Sequence, residues 1–150
     1  MKVVIQRVHS ASVSIDKKVI SQIKKGLLVL LGIETGDNIN DSLWLANKIS
    51  CLRIFEDKDG VMNKSIVDIA GEVIVVSQFT LHAKTKKGSR PSYIKAANSE
   101  DAIPLYEQFK KDLSLAIKNQ VQSGEFGADM NVSLINDGPV TIIIDTKCKE

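Results

Sequence analysis

The chain contains few of the residues on which metal and nucleophilic chemistry usually depend. Its 150 residues include only two cysteines and two histidines, and none of these lies at the close paired spacing of a zinc site. Cys51 and Cys148 are far apart, which argues against a disulfide framework and for a reducing compartment. There is no glycine-rich phosphate loop and no Gly-x-Ser-x-Gly elbow. The sequence therefore predicts no metal and no cofactor.

Long apolar runs and a strong excess of one charge are also absent. The longest apolar run, residues 27–31, is far too short to span a membrane, and the N-terminus has no apolar signal core. The net charge is only +2, so any contact with nucleic acid must come from a local basic patch. We expect a cytoplasmic protein of one domain, residues 1–150, with no membrane partner.

Strand patterns occur in the first third of the chain and again near its end. Residues 26–33 form an apolar run bounded by glycine, which is typical of a central strand buried on both faces. Alternating or apolar segments predict further strands at 3–8, 11–15, 71–81, 131–135 and 140–145. The last two flank residues 136–139, which read as a tight turn.

Two longer segments have the periodicity of helices. Residues 37–41 offer several N-caps for a helix that carries Leu45, Ile49 and Leu52 on one face. The second helix is predicted from Asp101 to Gln120. Asp101 is preferred to Asn98 as its N-cap because Pro104 is best tolerated in a first turn. The pattern predicts an α+β domain with a curved or barrel-like sheet and about two substantial helices.

Polar residues continue the apolar strand that ends near Val76. In a straight strand, Gln78 and Thr80 would share one face and Ser77 and Phe79 the other. A bulge would instead leave backbone N–H groups free to hold an oxyanion. The alternative is a strand whose hydroxyls only bond to neighbouring strands, and composition alone favours it.

Residues 136–141 and 84–95 are the other two segments of interest. Pro139 could be cis in a type VI turn, but the low frequency of cis X–Pro bonds favours trans from sequence alone. The second segment combines Tyr93 with a cluster of basic residues, Lys84, Lys86, Lys87, Arg90 and Lys95. This composition suits contact with phosphates and stacking on a base. A solvated surface loop is the alternative.

The segments Ser-Gln-Phe-Thr-Leu at 77–81 and Asn-Asp-Gly-Pro-Val-Thr at 136–141 are similar to the two signatures of the D-aminoacyl-tRNA deacylases, the D-tyrosyl-tRNA(Tyr) deacylase family. The resemblance extends over nearly the whole chain, including residues 4–8, 87–92 and 124–130. Ser89 and His82 depart from the family pattern, since Asn and Tyr are more common there. Neither departure falls within a motif core.

This resemblance implies a barrel-like α+β fold and a homodimer with two active sites at the subunit interface. It implies that the segment Ser77–Thr80 lines the site for the terminal adenosine of tRNA and its aminoacyl ester, with Phe126 and Met130 nearby. It also implies that Gly138-Pro139 is a cis pair that projects into the partner's pocket and rejects L-amino acids. Lys86, Lys87 and Arg90 are then candidates for contacts with tRNA.

The reaction implied is hydrolysis of an activated ester, for which positioning and oxyanion stabilisation supply most of the catalysis. In one version Thr80 is a nucleophile. In the other, backbone N–H groups near Phe79 and Thr80 hold the oxyanion while the vicinal ribose hydroxyl helps to activate water. We favour the second because the chain has few candidate bases. A non-catalytic RNA-binding module and an esterase for small acyl esters are the rival functions.

Overall fold

The computed structural model describes residues 1–149, and its first strand pairs with three other strands. The strands in chain order are β1 (Lys2–Ile15), β2 (Lys18–Ile23), β3 (Gly26–Gly32), β4 (Phe55–Glu56), β5 (Met62–Lys64), β6 (Glu72–Ser77), β7 (Gln122–Ser123) and β8 (Asn131–Asp145). β1 pairs antiparallel with β3 along its first half and with β2 along its second half. Its other edge pairs with β8 over nearly its whole length.

The sheet curves until it is nearly closed. β3 pairs in parallel with β6, and β6 pairs in parallel with β7. β2 in turn contacts β6 and β7, which brings the far ends of the sheet together. The short strands β4 and β5 form a separate hairpin. The prediction of a barrel-like sheet is confirmed.

Two hydrophobic clusters lie on opposite faces of this sheet. Leu27, Val29 and Leu31 of β3 belong to the larger cluster, which the helices cover. Leu28 belongs to the smaller one, on the opposite face of the sheet. Because successive side chains of a strand point to opposite faces, a strand between two cores must be apolar at every position. The predicted central strand is confirmed, and β6 follows the same rule.

Two helices pack on the larger cluster. Helix α1 (Ile39–Cys51) begins after Asn38, whose side chain forms a capping box with Asp41, within the predicted N-cap region. Helix α2 (Ser99–Ile117) begins after Asn98, so the predicted N-cap at Asp101 is wrong. In residues 1–149 no helix combines the length and apolar character needed to cross a membrane.

The physical reason for the earlier start of α2 is a local hydrogen bond. The Asn98 side chain accepts from the Asp101 backbone N–H at 2.9 Å, as an N-cap does. Pro104 lies inside the helix and cannot donate to the carbonyl of Glu100. Glu100 and Pro104 are both exposed, so water can take the place of that bond. The N-cap hydrogen bond of Asn98 therefore outweighs the backbone hydrogen bond that is lost at Pro104.

The predicted hairpin at 131–145 is wrong as well. These residues form the single strand β8, which pairs along β1 and shifts register between Gln6 and Val8. The Gly138–Pro139 peptide bond is cis, as the resemblance implies and against the trans isomer favoured by sequence alone. Among the described strands β8 pairs only with β1. A bulged edge strand is where a sheet tolerates a residue that cannot donate.

Candidate active site

A cavity of about 300 Å³ opens where β6 ends. Ser77 is the last residue of β6, and Phe79–His82 then form a 3-10 turn. The prediction that this strand continues to residue 81 is therefore wrong. Ser77, Gln78 and Phe79 line the cavity together with Phe126 and Met130. The fold thus brings together five of the predicted site residues, which lie about 50 positions apart in the chain.

The 3-10 turn begins next to this cavity with two backbone donors that its own hydrogen bonds do not use. The Gln78 N–H donates to the carbonyl of Leu31 at 2.7 Å, which ends the pairing between β3 and β6. The next two N–H groups, those of Phe79 and Thr80, open the turn, where a helical pattern offers no acceptor. The side chain of the N-cap residue, Gln78, does not cap the turn. Neighbouring N–H groups at the start of a turn beside a cavity are suited to hold a developing oxyanion.

Thr80 is half-buried and follows Phe79 of the cavity wall, but does not itself line the cavity. Its hydroxyl oxygen accepts a hydrogen bond of 2.6 Å from the Gln78 side-chain amide. An amide cannot take a proton from a hydroxyl, so this contact orients Thr80 without activating it. Within residues 1–149, no three His, Cys, Asp or Glu side chains lie close enough to hold a metal ion.

The loop that carries Phe126 and Met130 is held against the end of β6. The Gly124 N–H and the Tyr106 hydroxyl both donate to the carbonyl of Val75, at 3.1 Å and 2.9 Å. Burial raises the pKa of Tyr106, so its hydroxyl stays protonated and keeps donating. The Tyr106 ring packs edge to face on Phe126 with centroids 5.6 Å apart. A side chain at Gly124 would collide with the sulfur of Met130.

Gly138 and Pro139 lie outside the cavity of their own chain. Both are exposed, and neither lines the cavity formed by Ser77–Phe79 and residues 126–132. Gly138 has a φ of +119°, and a Cβ atom there would lie 2.9 Å from Val140 Cγ2. An L side chain is therefore strained at this position. One chain alone does not unite the two predicted motifs.

Arg7 contacts Asp137, the residue before Gly138. The sequence alone predicted no role for Arg7. It is only 4% exposed. Its Nε donates to the Asp137 carbonyl at 3.2 Å and pairs with the Asp137 carboxylate at 3.1 Å, while Nη1 donates to the Ile54 carbonyl at 2.5 Å. The sequence could have indicated that Arg7 is buried, because alternation along β1 places it on the same face as Val3 and Ile5. A buried charge in such a position requires partners.

The predicted basic segment is a closed, exposed loop beside the cavity. Lys84 and Ser92 exchange two backbone hydrogen bonds, of 2.8 Å and 3.0 Å, that close its base. In the part of the chain described, no acidic side chain pairs with the exposed Lys86, Lys87 or Arg90. Tyr93 follows the closure and contacts the Phe79 ring, with centroids 5.0 Å apart. The loop therefore adjoins the cavity wall.

Comparison with known proteins decides the family. The family model described as D-Tyr-tRNA(Tyr) deacylase matches residues 4–145. The chain belongs to this family. Proteins named D-aminoacyl-tRNA deacylase from Flavobacterium psychrophilum and Bacteroides fragilis (strain YCH46) are 65% and 63% identical to it, each over 100% of both chains. The resemblance carried by the two signature segments is confirmed.

Two solved structures share the deacylase fold. One, named c-Myc DNA Unwinding Element Binding Protein, is 40% identical, with a TM-score of 0.92 over 97% of this chain and 98% of that one. The other, described as a probable eukaryotic D-amino acid tRNA deacylase, is 15% identical, with a TM-score of 0.81 over 95% and 97%. The second likeness extends to the fold alone.

Within this deacylase fold, the residues of the two signature segments and those predicted near them fall into two groups, separate from the basic loop. Ser77, Gln78, Phe79, Phe126 and Met130 face one cavity, and Thr80 is bonded to Gln78 at its edge. Gly138 and Pro139 form a separate exposed group on β8. A deacylase site made from one chain would therefore lack its second signature.

Proposed function

We propose that this protein hydrolyses the ester between a D-amino acid and the terminal ribose of tRNA, releasing the free D-amino acid and the tRNA. The observation that carries the proposal is the single cavity that gathers Ser77, Gln78 and Phe79 with Phe126 and Met130, in a chain of a deacylase family. A cavity of about 300 Å³ suits the aminoacylated end of a tRNA rather than its body.

Catalysis in this proposal depends on position and on backbone dipoles. Water attacks the ester carbonyl, and the N–H groups of Phe79 and Thr80 stabilise the oxyanion of the tetrahedral intermediate. The intermediate collapses by breaking the bond to the ribose oxygen, which leaves as a hydroxyl. The vicinal ribose hydroxyl of the substrate helps to activate the water. Thr80, oriented by the Gln78 amide, positions the substrate and forms no covalent bond with it.

We further propose that two copies of the chain complete each site. The supporting observation is that Gly138 and Pro139 are exposed and lie outside their own cavity. Several apolar side chains of the same strand are exposed too, with Leu134 at 37%, Ile135 at 60% and Ile143 at 68%. Exposed apolar patches of this kind commonly mark a protein interface. A second copy would bury this face and bring Gly138-Pro139 to the partner's cavity.

In the completed site, Gly138-Pro139 rejects L-amino acids by steric exclusion. Gly138 has no side chain with which to bind a varied substrate, and Arg7 holds the backbone carbonyl of the preceding residue, Asp137, from behind. Backbone carbonyls facing the Cα of the bound amino acid would collide with an L side chain, whereas a D side chain would point into open space. Glycine has no side chain to collide, so glycyl-tRNA is included among the substrates.

Contact with the tRNA phosphates is assigned to Lys86, Lys87 and Arg90. Changing any one of them to alanine should weaken tRNA binding and reduce the slope of log affinity against log salt by about 0.7–0.9, because one fewer counterion is released. The measurement is tRNA affinity at several salt concentrations, with the exposed Lys58→Ala in the β4–β5 hairpin as a control. Unchanged slopes in all three variants would mean that this segment is only a solvated surface loop.

One assay separates the proposed function from its rivals. The wild-type protein should release D-tyrosine from D-tyrosyl-tRNA and leave both L-tyrosyl-tRNA and D-tyrosine methyl ester largely intact. A general esterase would cleave the methyl ester. An RNA-binding module would bind tRNA and release no amino acid. Either of the last two results would contradict the proposal.

A further inference from the structure

Two aromatic rings, one in the cavity wall and one beside it, have much of their surface exposed. Phe79 and Tyr93 meet edge to face, with ring planes at 76° and centroids 5.0 Å apart. Phe79 is nevertheless 55% exposed and Tyr93 38% exposed. Large apolar side chains at a surface usually bury such faces against a neighbour or a ligand. We call this pair the aromatic platform.

The platform is fixed in place by the backbone around it. Two hydrogen bonds between Lys84 and Ser92 close the loop immediately before Tyr93. On its other side, the Tyr93 carbonyl accepts from the Ala96 N–H at 2.9 Å, and the Thr35 N–H donates to the Lys95 carbonyl at 3.0 Å. Tyr93 is therefore held at both ends, and its ring is presented to solvent with little freedom in its backbone.

Charge around the platform favours a nucleic acid as its occupant. Lys84, Lys86, Lys87 and Arg90 are exposed, and no acidic side chain of residues 1–149 pairs with them. Unneutralised cations beside aromatic faces are the combination with which proteins hold single-stranded nucleic acid, since cations bind the backbone and rings stack on bases. On a chain of net charge +2, this concentration of cations is local.

We propose that the aromatic platform binds the base of the nucleotide that precedes the terminal adenosine of tRNA, chiefly on the Tyr93 ring. The inference rests on the proposed function, in which the terminal aminoacyl nucleoside occupies the cavity. Phe79 lines that cavity and also contacts Tyr93, so a strand leaving the cavity past Phe79 reaches Tyr93 next. The backbone phosphate of that nucleotide then lies beside Lys84.

Substrates of increasing length test this directly. The D-tyrosyl esters of adenosine, of the trinucleotide C-C-A and of whole tRNA are compared with wild type, Tyr93→Leu and Tyr93→Phe. Tyr93→Leu should raise KM for the trinucleotide and for tRNA by about 5- to 150-fold, the range for loss of one stacked base. Its kcat, and its kcat/KM for the adenosine ester, should be unchanged. Tyr93→Phe should behave as wild type, as should Leu115→Ala, a control for an exposed apolar side chain on α2.

Several results would overturn the inference. An equal loss on the adenosine ester would mean that Tyr93 only holds Phe79 in the cavity wall. No change on any substrate would mean that the platform carries no base. If sedimentation shows that the wild-type protein is a dimer and the Tyr93→Leu variant a monomer, a second copy covers the platform. If wild type cleaves none of the three D-tyrosyl esters, the proposed function itself fails, and this inference fails with it.

Discussion

L-Aminoacyl-tRNA should be hydrolysed about 10⁴-fold more slowly than D-aminoacyl-tRNA by the wild-type protein, and Pro139→Ala should narrow that ratio by about tenfold or more. A factor of 10⁴ needs only about 5.5 kcal/mol, which collision with a rigid backbone wall can supply. The proline ring fixes φ at residue 139, and alanine does not. The wall should therefore yield in the variant, and the rate on L-substrates should rise.

The two rates, on D- and on L-substrates, distinguish lost exclusion from a general loss of activity. Steric exclusion predicts that Pro139→Ala raises the L rate while the D rate falls little. Pro104→Ala, at an exposed proline on α2 that does not itself line the cavity, is the matched control and should keep the wild-type ratio. The measurement is single-turnover hydrolysis of D- and L-tyrosyl-tRNA by each folded variant. A Pro139→Ala protein that lost D activity and gained no L activity would contradict the account.

Thr80→Ala should lower turnover by only about 10- to 100-fold, since its hydroxyl positions the substrate and forms no bond to it. Removing the 2′-hydroxyl from the terminal adenosine should cost more, because that group helps to activate the attacking water. The structural reason is the contact of Thr80 with an amide, at 2.6 Å from Gln78 Nε2, in place of a base.

Thr80→Ser supplies the control, because it keeps the hydroxyl that accepts from Gln78. Rates are compared for the two variants on D-tyrosyl-tRNA, and for wild type on the 2′-deoxy substrate carrying a 3′ ester. Trapping of an acyl group on Thr80 would show a nucleophile. Complete loss of activity in a folded Thr80→Ala protein, with Thr80→Ser fully active, would lead to the same conclusion.

The elements predicted well are those in which local pattern and tertiary environment agree. The run at 26–33 is apolar at nearly every position because β3 lies between two cores, and few environments other than a doubly covered strand produce so short and continuous a run. Residues 136–139 show the opposite case. Asn-Asp-Gly-Pro is typical of a turn, but pairing with β1 over nearly the whole length of β8 outweighs that local preference. The sequence carries no local sign of such a long-range pairing.

The two signature segments pointed to Ser77–Thr80 and Gly138-Pro139 as site residues, which stays a prediction. Alternation along a straight strand would have put Gln78 on the face opposite Ser77 and Phe79, but the strand ends and a 3-10 turn begins, so that all three line one cavity. Arg7 was missed although its position on a buried face was readable. The relation between the two signatures could not be worked out from one chain, since the structure keeps them apart.

Glycyl-tRNA tests the central claim most directly, because glycine differs from L-alanine only by the methyl group that exclusion requires to collide. Wild-type protein is assayed on D-alanyl-, L-alanyl- and glycyl-tRNA under single-turnover conditions. Steric exclusion by Gly138-Pro139 predicts that glycyl-tRNA is hydrolysed along with D-alanyl-tRNA, while L-alanyl-tRNA is spared by about 10⁴-fold. If glycyl-tRNA is spared as strictly as L-alanyl-tRNA, selection rests on attraction to a D side chain, and the account is wrong.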